Sequence, residues 1–247
     1  KKLKENIDVL SMTATPIPRT LNMSLIGVRK MSNLTSPPID RLPVHTYVLE
    51  YDELVIAEAI KKELLRDGQV YYLSNRVENI EEVAKKVKTL AGKEARVAVA
   101  HGRMQPSQVE DIMLDFINHD IDILVCTTIL ESGIDIPNAN LIIVENADRL
   151  GLAQLYQIRG RVGRSNRLAY AYITYEKDKQ ISEISEKRLK AIKDFTEFGS
   201  GYKIALRDLE LRGAGSLLGN LQHGHMVSVG YNMYLSLLEK ALEEEKQ

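Results

Sequence analysis

From residue 44 onward the apolar positions alternate between two periods. Val44-His45-Thr46-Tyr47-Val48-Leu49 reads as a strand, and residues 53–66 space their apolar side chains as a helix does. The pairing repeats through strand 69–74, helix 78–90, strand 95–100 and helix 106–118, where Pro106 suits the first turn. Strands at 121–127 and 140–145, a helix near 153–160 and a strand at 168–174 follow. Strands separated by helices cannot pair as tight hairpins, so the pattern predicts an α/β fold whose parallel sheet is covered on both faces. Ligands of such sheets gather beyond the carboxyl ends of the strands. That edge is where chemistry is expected.

The flanks read differently. Ile7 to Met12 has the pattern of a short buried strand, and it stops where Pro16 and Pro18 forbid regular pairing. Residues 28–43, with Pro37, Pro38 and Pro43, read as a linker. After residue 180, Ile184, Leu189, Ile192 and Phe195 recur at helical spacing until Gly199 and Gly201 break the run. Gly213, Gly215 and Gly219 then cluster before a last helix from about Ser228 with an acidic tail. The expected division is an opening segment 1–43, an α/β domain 44–180 and a helical appendage 181–247.

Composition narrows the function classes. A net charge of −1 over 247 residues excludes a chain-wide attraction to polyanions, so any such site needs local segregation of charge. Arg159, Arg161, Arg164 and Arg167 supply it, in a stretch with no acid. A lone Cys126 rules out an internal disulfide framework and fits a reducing compartment. No signal-peptide pattern or membrane-length apolar run is present, so a cytoplasmic protein without a membrane partner is expected. His223 and His225 lack companion ligands, and no metal site is expected.

The arginine run carries the most chemistry. Gln157 to Arg164 has the spacing Gln-x-x-Gly-Arg-x-Gly-Arg. Arg161 and Arg164, three apart, would point the same way on a helical turn, with Gly160 and Gly163 keeping that face open. Two converging guanidinium groups suit the spread charge of a transferring γ-phosphate. The plain alternative is a solvated basic turn. Four further segments keep it company: Thr13-Ala14-Thr15, Ser74-Asn75-Arg76, His101-Gly102-Arg103-Met104-Gln105, and Thr127-Thr128 with Gly133 and Asp135. Each is expected just beyond a strand, with the two arginines at the carboxyl lip of the sheet.

In this order the segments resemble the second motor domain, RecA-like in fold, of superfamily 2 helicases and translocases. Motif III falls at Thr13-Ala14-Thr15, motif IV around Tyr72 to Arg76, motif V from Thr127 to Pro137 and motif VI from Gln157 to Arg164. Residues 1–43 then correspond to the end of the first motor domain plus a linker. A narrower resemblance comes from Thr13 to Leu21 and from Asp208-Leu209-Glu210-Leu211-Arg212-Gly213-Ala214-Gly215-Ser216-Leu217-Leu218-Gly219 with Gln222. These are similar to the translocation module, with its TRG motif, shared by RecG-type branch-migration helicases and the bacterial transcription-repair coupling factor (Mfd) family. Ser185 to Gly201, Val229 to Tyr234, and Ala214 where RecG-like chains tend to have proline, favour the coupling-factor family.

The resemblance implies roles. Arg161 and Arg164 become arginine fingers on an ATP and Mg²⁺ held mainly by the first motor domain, with Gln157 coupling nucleotide state to the cleft. Gly133 and Asp135 approach the nucleotide. Thr127 and Thr128, with backbone amides near helix starts, hold double-stranded DNA by its phosphates, joined by Asn75, Arg76, His101, Arg103 and Gln105. Thr13, Thr15, Arg207, Arg212 and Gln222 belong to the coupling machinery, although Arg207 and Arg212 also suit plain pairing with Asp208 or Glu210. RNA polymerase and excision-repair proteins would be partners of the intact protein, through regions not in this chain. The chain has no Gly-rich loop ending Gly-Lys-Ser/Thr, so alone it should not hydrolyse ATP. A non-catalytic nucleic-acid-binding module with the same fold is the alternative from a different class.

Overall fold

The computed structural model describes residues 10, 12–15, 32, 34, 42–128, 136–197 and 199–212. The chain divides into two compact units, one of residues 34–200 and one of residues 1–33 together with 201–247.

The larger unit runs β1 (His45–Glu50), α1 (Glu53–Leu65), β2 (Gln69–Leu73), α2 (Ile80–Ala91), β3 (Val97–Ala100), α3 (Pro106–Ile117), β4 (Ile123–Cys126) and β5 (Ala139–Val144). A 3-10 turn at Ala147–Arg149, α4 (Leu152–Arg159), β6 (Tyr170–Tyr175) and α5 (Glu183–Asp194) complete it. The strands form one sheet in the order β1-β6-β5-β2-β4-β3, and every neighbouring pair is parallel. The expected RecA-like α/β class is therefore the fold adopted.

Burial explains why the central strands read as unbroken apolar runs. All residues of β2, β4 and β5 are buried, as strands covered on both faces must be. Val70 and Tyr72 of β2 pack with Ile56 and Ile60 of α1 and Ile80 and Val87 of α2. Tyr71, on the opposite face, meets Phe116 of α3 edge-on with ring centroids 5.1 Å apart. Local signals start the helices. Asp52 caps α1 by accepting from the amides of Leu54 (2.8 Å) and Val55 (3.2 Å), and Pro106 opens α3 as its sequence position predicts.

In the smaller unit, α6 (Gly201–Arg212) buries Ile204, Ala205 and Asp208. Thr13 and Thr15 form a local turn, in which Thr13 Oγ1 donates to the Thr15 carbonyl at 2.9 Å. Leu10 and Met12, the described residues of the expected buried strand at 7–12, are in no strand and are 87% and 86% exposed, which corrects that expectation for them; the rest of that segment, the glycine cluster from Gly213 and the helix from Ser228 lie outside the described residues.

Candidate functional site

Strand order gathers the residues expected to grip DNA. β2, β4 and β3 are neighbours, and Asn75, Arg76, Thr127, Thr128, His101, Arg103 and Gln105 all follow their carboxyl ends. Backbone bonds fix these ends to one another. The Ser74 amide donates to Cys126 O at 2.9 Å, the Thr127 amide to Ala100 O at 3.3 Å, and the Glu145 amide to Leu73 O at 3.0 Å. Thr127 is buried and its amide is spent on β3, which corrects the expectation that this amide faces a phosphate. Arg76, Arg103 and Gln105 are exposed. Arg103 pairs with Glu78 at 2.6 Å across open solvent, and the Glu78 carboxyl is held below its usual range by its own backbone amide and then by Arg103. His101 Nδ1 accepts from the Arg103 amide at 3.2 Å, shaping the turn before α3.

The arginine segment lies elsewhere, and three expectations about it change. α4 ends at Arg159, so Arg161 and Arg164 are not on a helical turn but in the irregular chain beyond it. They are not at the carboxyl lip either. A helix that returns from the end of β5 delivers its last residues toward the amino ends of the strands. There a Cβ on Gly163 would stand 2.8 Å from Val44 Cγ2, just before β1, and 3.3 Å from Ala169 Cβ, just before β6. Gly163 thus does not keep a face open: it has φ +72° and is packed against side chains.

The four arginines also divide. Arg159 is 5% exposed, donating from Nη1 to Ile192 O at 2.8 Å and from Nη2 to Phe195 O at 2.6 Å. Burial lowers its pKa to about 10, against the opposing influence of Tyr156, so it remains a cation at neutral pH. Arg167 binds Asn138 Oδ1 at 2.9 Å and the Arg66 carbonyl. Arg161 and Arg164 keep partly exposed side chains on either side of buried Val162 and Gly163, with Arg164 Nε donating to Gly160 O at 3.1 Å. Gln157, half-buried, is on α4.

Sequence reasoning missed a polar chain beneath the carboxyl edge. Tyr72 donates to Glu145 Oε1 at 2.5 Å, and its hydroxyl is 3.1 Å from that of Tyr51. Burial, then Glu145, pushes the Tyr72 phenol far above its ordinary range, so it stays a neutral donor. Nothing in the strand pattern Gln69-Val70-Tyr71-Tyr72-Leu73 marks which tyrosine meets a carboxylate. Cys126 is buried, and burial pushes its thiol up, consistent with a small core residue.

Gly133, Asp135 and Gln222 lie outside the described residues. Arg207 takes the plain pairing, meeting Glu210 at 2.9 Å on the surface of α6, and Arg212 closes that helix. Among the described residues no group of three or more His, Cys, Asp or Glu is placed to hold a metal ion, and no helix is long and apolar enough to cross a membrane.

Residues 54–166 match the helicase conserved C-terminal domain. Over 246 residues, all of this chain, it is 57% identical to the transcription-repair-coupling factor of Bacillus subtilis (strain 168). It is 56% identical, over the same span, to that of Staphylococcus epidermidis RP62A. The chain covers 21% of each relative's length. A solved structure of RecG bound to a three-way DNA junction superposes on 96% of this chain and 32% of its own, with a TM-score of 0.67 and 30% identity.

Proposed function

We propose a motor role for a chain that is homologous over its whole length to transcription-repair-coupling factors and carries a helicase conserved C-terminal domain: the second motor domain of an ATP-dependent double-stranded DNA translocase. The observation that carries this reading is that the helicase-domain match over residues 54–166 takes in Arg161 and Arg164, whose partly exposed side chains flank buried Val162 and Gly163 just beyond the end of α4. Fixed cations of that kind stabilise the charge that develops as a phosphoryl group transfers.

In this reading ATP and Mg²⁺ are held mainly by a first motor domain, with Arg161 and Arg164 as fingers, Gln157 as the coupling residue, and Gly133 and Asp135 beside the nucleotide. Arg76, Arg103, Gln105, Asn75, His101, Thr127 and Thr128 hold DNA by its backbone without reading sequence. Thr13, Thr15, Arg207, Arg212 and Gln222 transmit the motion. In the whole protein, working in the cytoplasm, turnover drives displacement of stalled RNA polymerase and recruitment of excision-repair proteins.

In a full-length coupling factor carrying this segment, Arg161→Ala or Arg164→Ala is expected to lower ATP turnover by about 10³-fold, with DNA affinity by fluorescence anisotropy within about twofold. Collapse of affinity with surviving turnover favours the passive binding module. The isolated chain is expected to show negligible DNA-stimulated ATPase activity, and robust hydrolysis by it overturns the division of labour. The structural likeness to RecG on its junction favours branch migration as the second reading. Regression of a synthetic fork without displacement of a halted polymerase would select it.

A further inference from the structure

Helix α5 lies beyond the residues that match the helicase domain, and neither edge of the sheet described above gives it a task. It is nevertheless fastened at both ends, to the 3-10 turn before α4 and to the arginine that closes α4. At its start, Ser185 Oγ donates to the Asp148 carbonyl at 2.9 Å, and Lys179, shortly before the helix, pairs with Asp148 Oδ2 at 2.6 Å. At its end, Arg159 reaches the carbonyls of Ile192 and Phe195. Asp148 precedes α4 and Arg159 closes it, so α4 and α5 lie side by side and run in the same direction.

The Arg159 contact is an unusual use of a charge. Among the described residues no carboxylate pairs with it. Its guanidinium, 5.2 Å above the Tyr156 ring, is met instead by the unsatisfied carbonyls that close α5, the end of a helix that favours a cation. An apolar side chain would fill the space without burying a charge. What the planar fork adds is direction, since its two donors fix two carbonyls three residues apart.

We propose that Arg159 is a positioning residue: by locking the end of α4 to α5 it sets where Arg161, two residues further on, presents its guanidinium. The backbone between them is short and already constrained, because the Arg161 amide donates to Ile158 O at 3.0 Å and the Val162 amide to Arg159 O at 3.3 Å. A displacement at Arg159 therefore passes directly to the finger. The inference rests on Arg161 acting at the nucleotide.

Two measurements test it. In the full-length protein, Arg159→Met is expected to lower kcat for DNA-stimulated ATP hydrolysis by about tenfold or more, the scale set by a small misplacement of a catalytic group, with KM for ATP within about twofold. Arg159→Lys keeps the charge but loses the fork, and should recover only part of the rate; it also preserves the test if the methionine variant misfolds. In this 247-residue chain, amide exchange at Arg161 and Val162 should quicken in both variants while the β2 and β5 amides keep their protection. An unchanged kcat, or exchange at 161–162 equal to wild type, overturns the proposal. Arg161→Ala, measured alongside, separates the two ideas. If that variant keeps its turnover the finger reading falls, and the exchange data still decide whether Arg159 fixes the segment.

Discussion

Gly163 shows how one residue serves the arginine segment by packing. Its φ of +72° is a conformation that side chains rarely adopt, and an added Cβ would press on Val44 Cγ2 at 2.8 Å. Gly163→Ala is therefore expected to destabilise the chain by about 1–3 kcal/mol, the usual cost of overpacking combined with left-handed strain. Urea denaturation monitored by circular dichroism reads this directly, and a loss under about 0.5 kcal/mol, the scale of an ordinary surface substitution, would mean that Val44 gives way and the glycine is not pinned. At this scale the sequence was only half legible. The run of four arginines is visible in one dimension, but Arg159 and Arg167 look there like Arg161 and Arg164. Where Arg159 and Arg167 settle is decided by partners far along the chain: Ile192, 33 residues from Arg159, and Asn138, 29 residues from Arg167.

Elements were read more fully than residues, because their causes are local. The Asp52 cap, the proline at the start of α3 and the apolar periods place every helix and strand between His45 and Asp194 within a few residues of where it lies. α4 lies within a residue of the expected 153–160; what fails is the helical turn expected to carry Arg161 and Arg164, since the helix stops at Arg159 with Gly160 as its cap. The strapping of α5 onto α4 was invisible, since the backbone carbonyls that receive Arg159 carry no sequence signature. Capping offers a clean check on the local account. Asp52→Ala removes both bonds to the α1 amides and should cost about 1 kcal/mol, seen as a lower denaturation midpoint with an unchanged slope. Asp52→Asn, which keeps the acceptor, should cost less, and equal losses would show that charge near the helix start outweighs the hydrogen bonds.

At the scale of the α/β unit, the parallel sheet separates two polar surfaces. The loops proposed to meet DNA follow β2, β4 and β3, whereas Gly163 and Arg167 lie by the amino ends of β1, β6 and β5. In the proposed function the sheet therefore stands between the nucleotide contact and the DNA contact. The amino edge carries an electrostatic cost. Glu63 is 2% exposed, and one of its oxygens, Oε1, has no hydrogen-bond partner among the described residues. Burial raises its pKa above the ordinary 4.5, outweighing the opposing pulls of Arg66 and Arg167. The folded chain therefore holds this proton to higher pH than the unfolded chain does, so stability from Glu63 is fully present below 4.5 and is lost as pH rises through the folded value. Glu63→Gln removes that titration and keeps an acceptor for Arg66. Urea unfolding of both proteins from about pH 4 to pH 8 should show the wild type losing ground to the variant as pH rises. A wild type that instead gains over the variant with rising pH would mean that Arg66, at 2.5 Å, holds the carboxylate charged and that burial is the weaker force at this edge.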